Sequence, residues 1–388
     1  SGKPSAESLA AQKSYMDDAW AGLVTRLEAR RGLVNGTVEK FIARLSKDGI
    51  ADKPLSALFQ EAGLIDELET RDAYLQKLAD TYAGGVVKDL KSVDVATYLT
   101  VTNGVQTDES IAVLIAEGEI TGLADLGGMT PDGINGVIDE IEADPMVRAL
   151  VVRVNSPGGD AMAAELIRAR LVEYKKKTKN PVIISMGDVA ASGGYWIATA
   201  GDRIVADPLS ITGSIGVFAM SVQAEGLREE LKVGRGGYRT TPLSDFGNPV
   251  AAPGEAERRL VEGGVNRTYA DFKKLVSESR SMSGEEVERV AQGRVWPGAQ
   301  AVKYGLADAQ GGLDEALKLA CREAKLPAGT ETVFWEPVDA PWRGALRALL
   351  QSKAMGFAGK VLEAKQTLDA LSSQSNRPMA WAPFEPAL

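Results

Sequence analysis

The spacing of hydrophobic and polar positions changes character once along this chain. Across residues 5–82 it is helical: SYMDDAWAGLVTRLEARRG sets apolar side chains three and four residues apart, and ELETRDAYLQKLADTYAGG does so again before a glycine stop. Between Val86 and Asp108 the pattern weakens into a connector. From Ser110 onward SIAVLIAEGEI predicts a buried strand, GINGVIDEIEAD a helix, VRALVVRV a strand ending on NSPGG, and MAAELIRARLVEYKKK a helix. PVIISMG then predicts a strand, ASGGYWIATA a helical stretch and DRIVAD a short strand. Such alternation predicts an α/β fold of βαβ units with a largely parallel sheet. Chemistry in such sheets gathers at the carboxyl ends of strands, where NSPGG (residues 155–159) falls.

The helical pattern recurs. Residues 5–42 and 254–291 share an order of features: a charged amphipathic helix with an aromatic residue, then basic residues, then a second short helix. AGLIDEL (62–68) and YGLADAQ (304–310) match in the same way, each leading into a helix. The expected organisation is therefore a helical tail of one repeat plus connector over 1–109, a complete repeat over 110–325, and a C-terminal region over 326–388. That last region reads as a Pro-rich stretch, an amphipathic helix to about Ser372 and an extended, Pro-containing arm.

Composition narrows the chemistry. The 388 residues can hold two domains or one large domain with appendages, and 44% hydrophobic content supports an ordinary core. A net charge of −9 gives no electrostatic footprint for nucleic acid, and the short run Lys175-Lys176-Lys177 reads as a solvated helix end. Cys321, the one cysteine, lies in an apolar helical pattern and is expected as a small buried hydrophobe. Without histidine, with one cysteine and with no acidic string at calcium-loop spacing, no metal or other cofactor is expected. No run of about eighteen apolar residues is present to span a bilayer, and the first residues lack a signal-peptide pattern.

Three small-residue serine segments stand out: NSPGG, AASGG (190–194) and TGSIG (212–216). Lacking histidine, the chain cannot form a Ser-His-Asp triad, so a serine nucleophile here needs another base, most simply a lysine amine. In TGSIG, Gly213 and Gly216 allow a tight path that exposes the Ser214 hydroxyl, against the plainer reading of a turn serine capping its own backbone. NSPGG offers glycine amides to an oxyanion at a strand end, or is a strand-to-helix turn. Ser192 in AASGG is read as a helix cap, with Tyr195 and Trp196 as core anchors.

Together VVRVNSPGGDAMAAELIRARL, SMGDVAASGGYWIATAGDRIVADPLSITGSIGVF and VAQGRVWPGAQAVKYGLADAQGGLDEAL resemble the signal peptide peptidase A (protease IV) family of the ClpP/crotonase superfamily, over about residues 110–325. Residues 1–82 resemble the end of the first repeat in its long, two-repeat form, and MAWAPFEP resembles that form's C-terminal end. The resemblance implies a ClpP/crotonase-like parallel-sheet core with flanking helices and a Ser/Lys endopeptidase with Ser214 as nucleophile and Gly158 and Gly159 as oxyanion donors. It places the general-base lysine in the long form roughly ten residues before Ser1, so the isolated chain is expected to be inactive. The lysine position of short members holds Arg239, whose guanidinium stays protonated; Lys232 and Lys3 lack the family's local pattern. Signal peptides and other extended apolar peptides as substrates, a homo-oligomer, and a membrane anchor upstream at the periplasmic face of the bacterial inner membrane are further implications. The alternatives are a non-catalytic assembly scaffold and a crotonase-like acyl-CoA enzyme.

Overall fold

A computed structural model describes residues 5–48, 53–91, 108–122, 128–221, 223–232, 234, 236, 240–337 and 379–381. The chain divides into two compact units, Ser1–Gln106 and Thr107–Leu388. Arg239 and the C-terminal helix expected before Ser372 lie outside the described residues.

The first unit is helical: α1 (Ala6–Arg31), α2 (Thr37–Asp48), α3 (Leu55–Glu61) and α4 (Arg71–Tyr82). Its buried carboxylate, Glu28, accepts the amides of Gly36 at 3.0 Å and Val38 at 2.9 Å, which satisfies the open start of α2. Phe41 and Phe59 meet edge to face with centroids 5.0 Å apart.

The second unit is built on β1 (Ser110–Glu117), α5 (Pro131–Ala143), β2 (Val147–Ser156), β3 (Gly158–Asp160), α6 (Ala161–Thr178), β4 (Val182–Ala191) and α7 (Gly193–Ala198). β5 (Arg203–Ala206), β6 (Ile211–Gly213) and α8 (Glu225–Glu230) follow, then α9 (Glu255–Arg280), α10 (Gly284–Val290), β7 (Val295–Pro297) and α11 (Gly298–Lys303). β8 (Ala309–Gln310), α12 (Leu313–Ala324), β9 (Glu331–Trp335) and β10 (Met379–Trp381) complete it. The main sheet runs β7-β6-β4-β2-β1-β9, with β5 on β4 and β8 on β5; its pairings are parallel except β6 with β7. The fold is thus α/β, a mostly parallel sheet with flanking helices.

Both faces of this sheet are covered, which is why its strands read as continuous apolar runs. Leu114, Leu150, Val152, Val154, Ile184 and Met186 point to one core with α5, α6, α7 and α9; Ile111, Val113, Ala149, Val151 and Ile183 alternate to the other, against Ala316 and Ala320 of α12. Cys321 is only half-buried there, because it sits at the border of the α12 stripe rather than at its centre. The basic run ends α6 as expected: Lys175 pairs with Asp202 at 2.6 Å and Lys177 with Glu173 at 2.9 Å.

The strand predicted as PVIISMG runs on through Ala191, so the helix starts at Gly193 rather than near Ala190. Ladder bonds to β6 at Val189, Ala190 and Ala191 hold those residues extended.

The recurring pattern has a structural counterpart. α1 and α9 are both 26 residues long and both end on an arginine. Arg31 donates to the carbonyl of Gly63 and pairs with Asp66; Arg280 donates to the carbonyl of Gly305 and pairs with Asp308. One glycine and the aspartate three residues on serve the same role in each GLxD loop. Burial separates the two clamps: the Arg280 side chain is 9% exposed and Asp308 26%, whereas Asp66 is 81% exposed.

Burial pushes the Asp308 carboxyl up, but the fork of Arg280 and the amide of Ile204 outweigh it and hold its pKa below the ordinary range. A depressed carboxylate stabilises the fold above its unfolded pKa and loses that contribution as pH falls through the folded one. Arg280→Ala is expected to cost about 3 kcal/mol at neutral pH, since it leaves a buried charge unpaired. The cost should shrink as the pH falls through the acid range and Asp308 protonates. Arg31→Ala should cost far less at every pH. Urea unfolding of both variants between neutral and acid pH checks this; equal losses would contradict it.

Candidate active site

The end of β2 and the turn after it are shaped by close backbone contacts. Asn155 accepts the Val189 amide through Oδ1 at 3.2 Å, and a Cβ on Gly187 would lie 2.8 Å from the Asn155 Cβ, so β4 passes tightly over this side chain. After Pro157, β3 lies against Ile120, with Ile120 N–H donating to the Gly158 carbonyl at 2.8 Å and Asp160 N–H to the Ile120 carbonyl at 2.9 Å. Gly159 has φ +145°, and a Cβ there would sit 2.0 Å from the Ile120 oxygen, so only glycine allows this approach. Asp160 then caps α6 by accepting the Ala163 amide at 2.9 Å.

The two glycine amides predicted as oxyanion donors are not equivalent. Gly158 N–H donates to Ser156 Oγ at 3.2 Å, at the long end of hydrogen-bond distance. Gly158 C=O and Asp160 N–H are directed at Ile120, so Gly159 turns its own N–H and C=O to the opposite edge of β3.

Ser192 occupies the turn from β4 into α7 with φ 53° and ψ −116°, a conformation rarely adopted by a residue with a side chain. Its amide donates to the Gly213 carbonyl at 2.9 Å. The expected cap is not made: the Ser192 hydroxyl accepts no first-turn amide of α7, and it is buried with no hydrogen-bond partner among the described residues. The positive φ is the cause, because it carries Oγ away from the helix end. The glycines that follow allow contact with the neighbouring turn. A Cβ on Gly193 would lie 3.2 Å from Gly158 Cα and 3.3 Å from Gly159 N, and one on Gly194 would lie 2.9 Å from the Ser156 oxygen. The Gly193 amide, in the first turn of α7, has no helical acceptor.

Tyr195 and Trp196 anchor this turn as expected. Tyr195 donates its hydroxyl to the Leu306 carbonyl at 2.8 Å, and Trp196 packs on Phe272 with centroids 4.6 Å apart while its Nε1 donates to Glu165 at 2.7 Å. Beside Asp160 lies a cavity of about 690 Å³ whose lining includes Met162, Trp196 and Leu275, with Glu165 and Asp271 among its polar residues.

Ser214 is buried, has φ 49°, and donates its amide to the Arg294 carbonyl at 2.7 Å. Its flanking glycines face the far side: a Cβ on Gly213 would meet Trp296 at 2.8 Å, and one on Gly216 would meet Gly293 at 2.8 Å. Strand order places the three serine segments. Ser156 of β2 is level with Ala190 of β4, and Ala191 of β4 with Gly213 of β6. Ser192 therefore lies one strand spacing, about 4.8 Å, from the glycine turn, and Ser214 lies on the strand beyond it. The structure brings Ser192 to Gly158 and Gly159; Ser214 it brings to Ser192. The signal for Ser192 was present in the run of small residues at a strand-to-helix boundary, and reading the helix from Ala190 hid the turn.

Among the described residues no lysine amine bonds either hydroxyl, and Lys232 is exposed. Arg239 and Lys3 lie outside the described residues.

The profile of peptidase family S49 matches residues 174–327. Protease 4 of Salmonella typhi is 39% identical over 225 residues, which is 57% of this chain and 35% of that protein. Protease 4 of Haemophilus influenzae is 32% identical over 328 residues, 81% of this chain and 52% of that protein. The chloroplastic serine protease SPPA of Arabidopsis thaliana is 34% identical over 296 residues, 71% of this chain and 42% of that protein. The chain thus spans about half, or less, of the length of these relatives. Among solved structures, a ClpP1 variant from Listeria monocytogenes matches 53% of this chain and 94% of its own at 14% identity, with a TM-score of 0.34. The S49 profile falls on the segment that carries the Ser192 turn and Ser214, and the sequence matches to Protease 4 and SPPA extend well beyond it: the chain belongs to the signal peptide peptidase A (protease IV) family, peptidase family S49.

Proposed function

We propose that this chain carries the nucleophile and oxyanion donors of a serine endopeptidase acting on extended apolar peptides, signal peptides among them. The observation that carries the reading is the strained turn at Ser192, set one strand from the glycine turn. A serine on a sharp strand-to-helix turn presents its hydroxyl at the top of a sheet, and the amide of the next residue lies ready for the oxyanion. In this proposal Ser192 Oγ attacks the peptide carbonyl, and the N–H groups of Gly193 and Gly158 receive the negative oxygen, the latter leaving its long contact with Ser156. A base takes the Ser192 proton and passes it to the departing amine as the peptide C–N bond breaks, and water then hydrolyses the acyl-enzyme ester, releasing the acid and restoring Ser192.

The outer edge of β3 supports an extended substrate, since Gly159 turns its N–H and C=O toward that edge, where an added strand can pair with them. The apolar lining beside Asp160 favours an apolar side chain. The base is a lysine amine from outside the described residues, and Ser214, next to Ser192 across the β4–β6 ladder, is placed to hold it. Ser214 as nucleophile, the assignment read from the sequence resemblance, remains the second reading, supported by its own positive φ. A homo-oligomer at the periplasmic face of the bacterial inner membrane belongs to the same proposal and rests on the resemblance alone. No helix among the described residues is long and apolar enough to cross a membrane.

A fluorophosphonate probe at about pH 9, with a small primary amine added as exogenous base, is expected to label the tryptic peptide 180–203, which holds Ser192, and not 204–228, which holds Ser214. Ser192→Ala should abolish the label and Ser214→Ala should slow it about tenfold or more. A label on 204–228 would overturn the assignment, and no label under any condition would favour a non-catalytic scaffold.

Strain predicts a second result. Ser192→Gly relieves the positive φ and removes an unpartnered buried hydroxyl, so it should raise stability by about 1 kcal/mol while ending labelling. Urea denaturation reads the change, and a loss of stability would show that the hydroxyl has a structural partner.

A further inference from the structure

β3 has two edges. Ile120 takes one of them through the carbonyl of Gly158 and the amide of Asp160. The other holds β10, antiparallel, with Met379 opposite Asp160, Ala380 opposite Gly159 and Trp381 opposite Gly158. Since Gly159 turns its N–H and C=O outward, the Gly159–Ala380 pair exchanges both backbone hydrogen bonds. β10 also lies against α7, the helix that follows Ser192. Ser192 itself is fully buried.

This pairing differs from the main sheet. β10 joins only β3 among the described residues, and the pair forms a separate two-stranded sheet three residues long. A ladder that short is marginal on its own. The sequence also bounds it, because Pro378, two residues before Ala380 and so on the same edge, has no N–H to donate to a longer ladder.

We propose that Met379–Trp381 is a tethered occupant of the peptide-binding edge: it takes the antiparallel register on Gly158–Asp160 that an extended substrate takes, and a peptide enters only when it leaves. This rests on the reading of β3 as the substrate edge given above. Recognition is through backbone, so the occupant's class is any extended peptide with an N–H at the position opposite Gly159; proline there is excluded. Residues 336–378 join the segment to β9, and a tethered segment acts at an effective concentration of order mM, so it competes effectively with weak peptide ligands.

The test uses the full chain, Ala380→Pro in the full chain, and a version ending at Pro378. Exchange of the Gly159 amide, resolved by NMR or by fragmentation mass spectrometry, should be about tenfold or more faster in both variants. Two fluorescein-labelled probes are then titrated by anisotropy: the peptide of residues 375–386, and an unrelated extended apolar octapeptide without proline. Both should bind the shortened version about tenfold or more tightly than the full chain, with Ala380→Pro in between. Equal Gly159 exchange in all three proteins, or equal probe affinities, overturns the tethered occupant. Slow exchange confined to the full chain, with the octapeptide binding none of the proteins, overturns β3 as a substrate edge and with it the competition, while the contact of β10 with β3 stands. The octapeptide protecting Gly159 in the shortened version alone supports both.

Discussion

The site depends on backbones approaching one another with no side chain between them. Gly159 lies against the Ile120 carbonyl at a separation a Cβ would not permit, and Gly193 lies against Gly158 and the Gly159 amide at one a Cβ would crowd. These contacts set the end of β4 beside the end of β2, and the register of β2, β4 and β6 then fixes Ser156, Ser192 and Ser214 in a row across three strand ends. Everything else in the second unit serves this placement. The two apolar faces hold the sheet, Tyr195 and Trp196 pin the helix after the turn, and Asp160 fixes the start of α6.

Much of the fold was legible in the chain because sheet burial leaves a plain mark. Strands covered on both faces must be apolar throughout, and SIAVLIAE and VRALVVRV could be little else. The GLxD recurrence was legible as well, and its physical meaning emerged only with Arg31 and Arg280, each closing a helix end onto a glycine carbonyl and an aspartate. What local pattern could not supply was strand order. NSPGG, AASGG and TGSIG look alike as small-residue turns, and only the ladder places AASGG between the other two.

The same limit applies to Ser192. As a residue before a helix it reads as a cap, since serine favours that position. Its positive φ, imposed by the crossing from β4 to α7 over the glycine turn, removes the cap and leaves a buried hydroxyl with no partner. β10 falls within the arm that the sequence reads as extended, but its pairing could not be read there, because so short a segment between prolines carries no periodicity and the edge it meets is made largely of glycines.

In the proposed mechanism Ser192, the strained serine between the two other turns, is the one that reacts. A crystal structure of the chain with a peptide aldehyde built on an apolar sequence tests it directly. The expected result is a bond from Ser192 Oγ to the aldehyde carbon, its oxygen within about 3 Å of the Gly193 amide, and the peptide antiparallel to Gly158–Asp160 where Met379–Trp381 otherwise lies. A bond to Ser214, or a peptide seated away from β3, would contradict it.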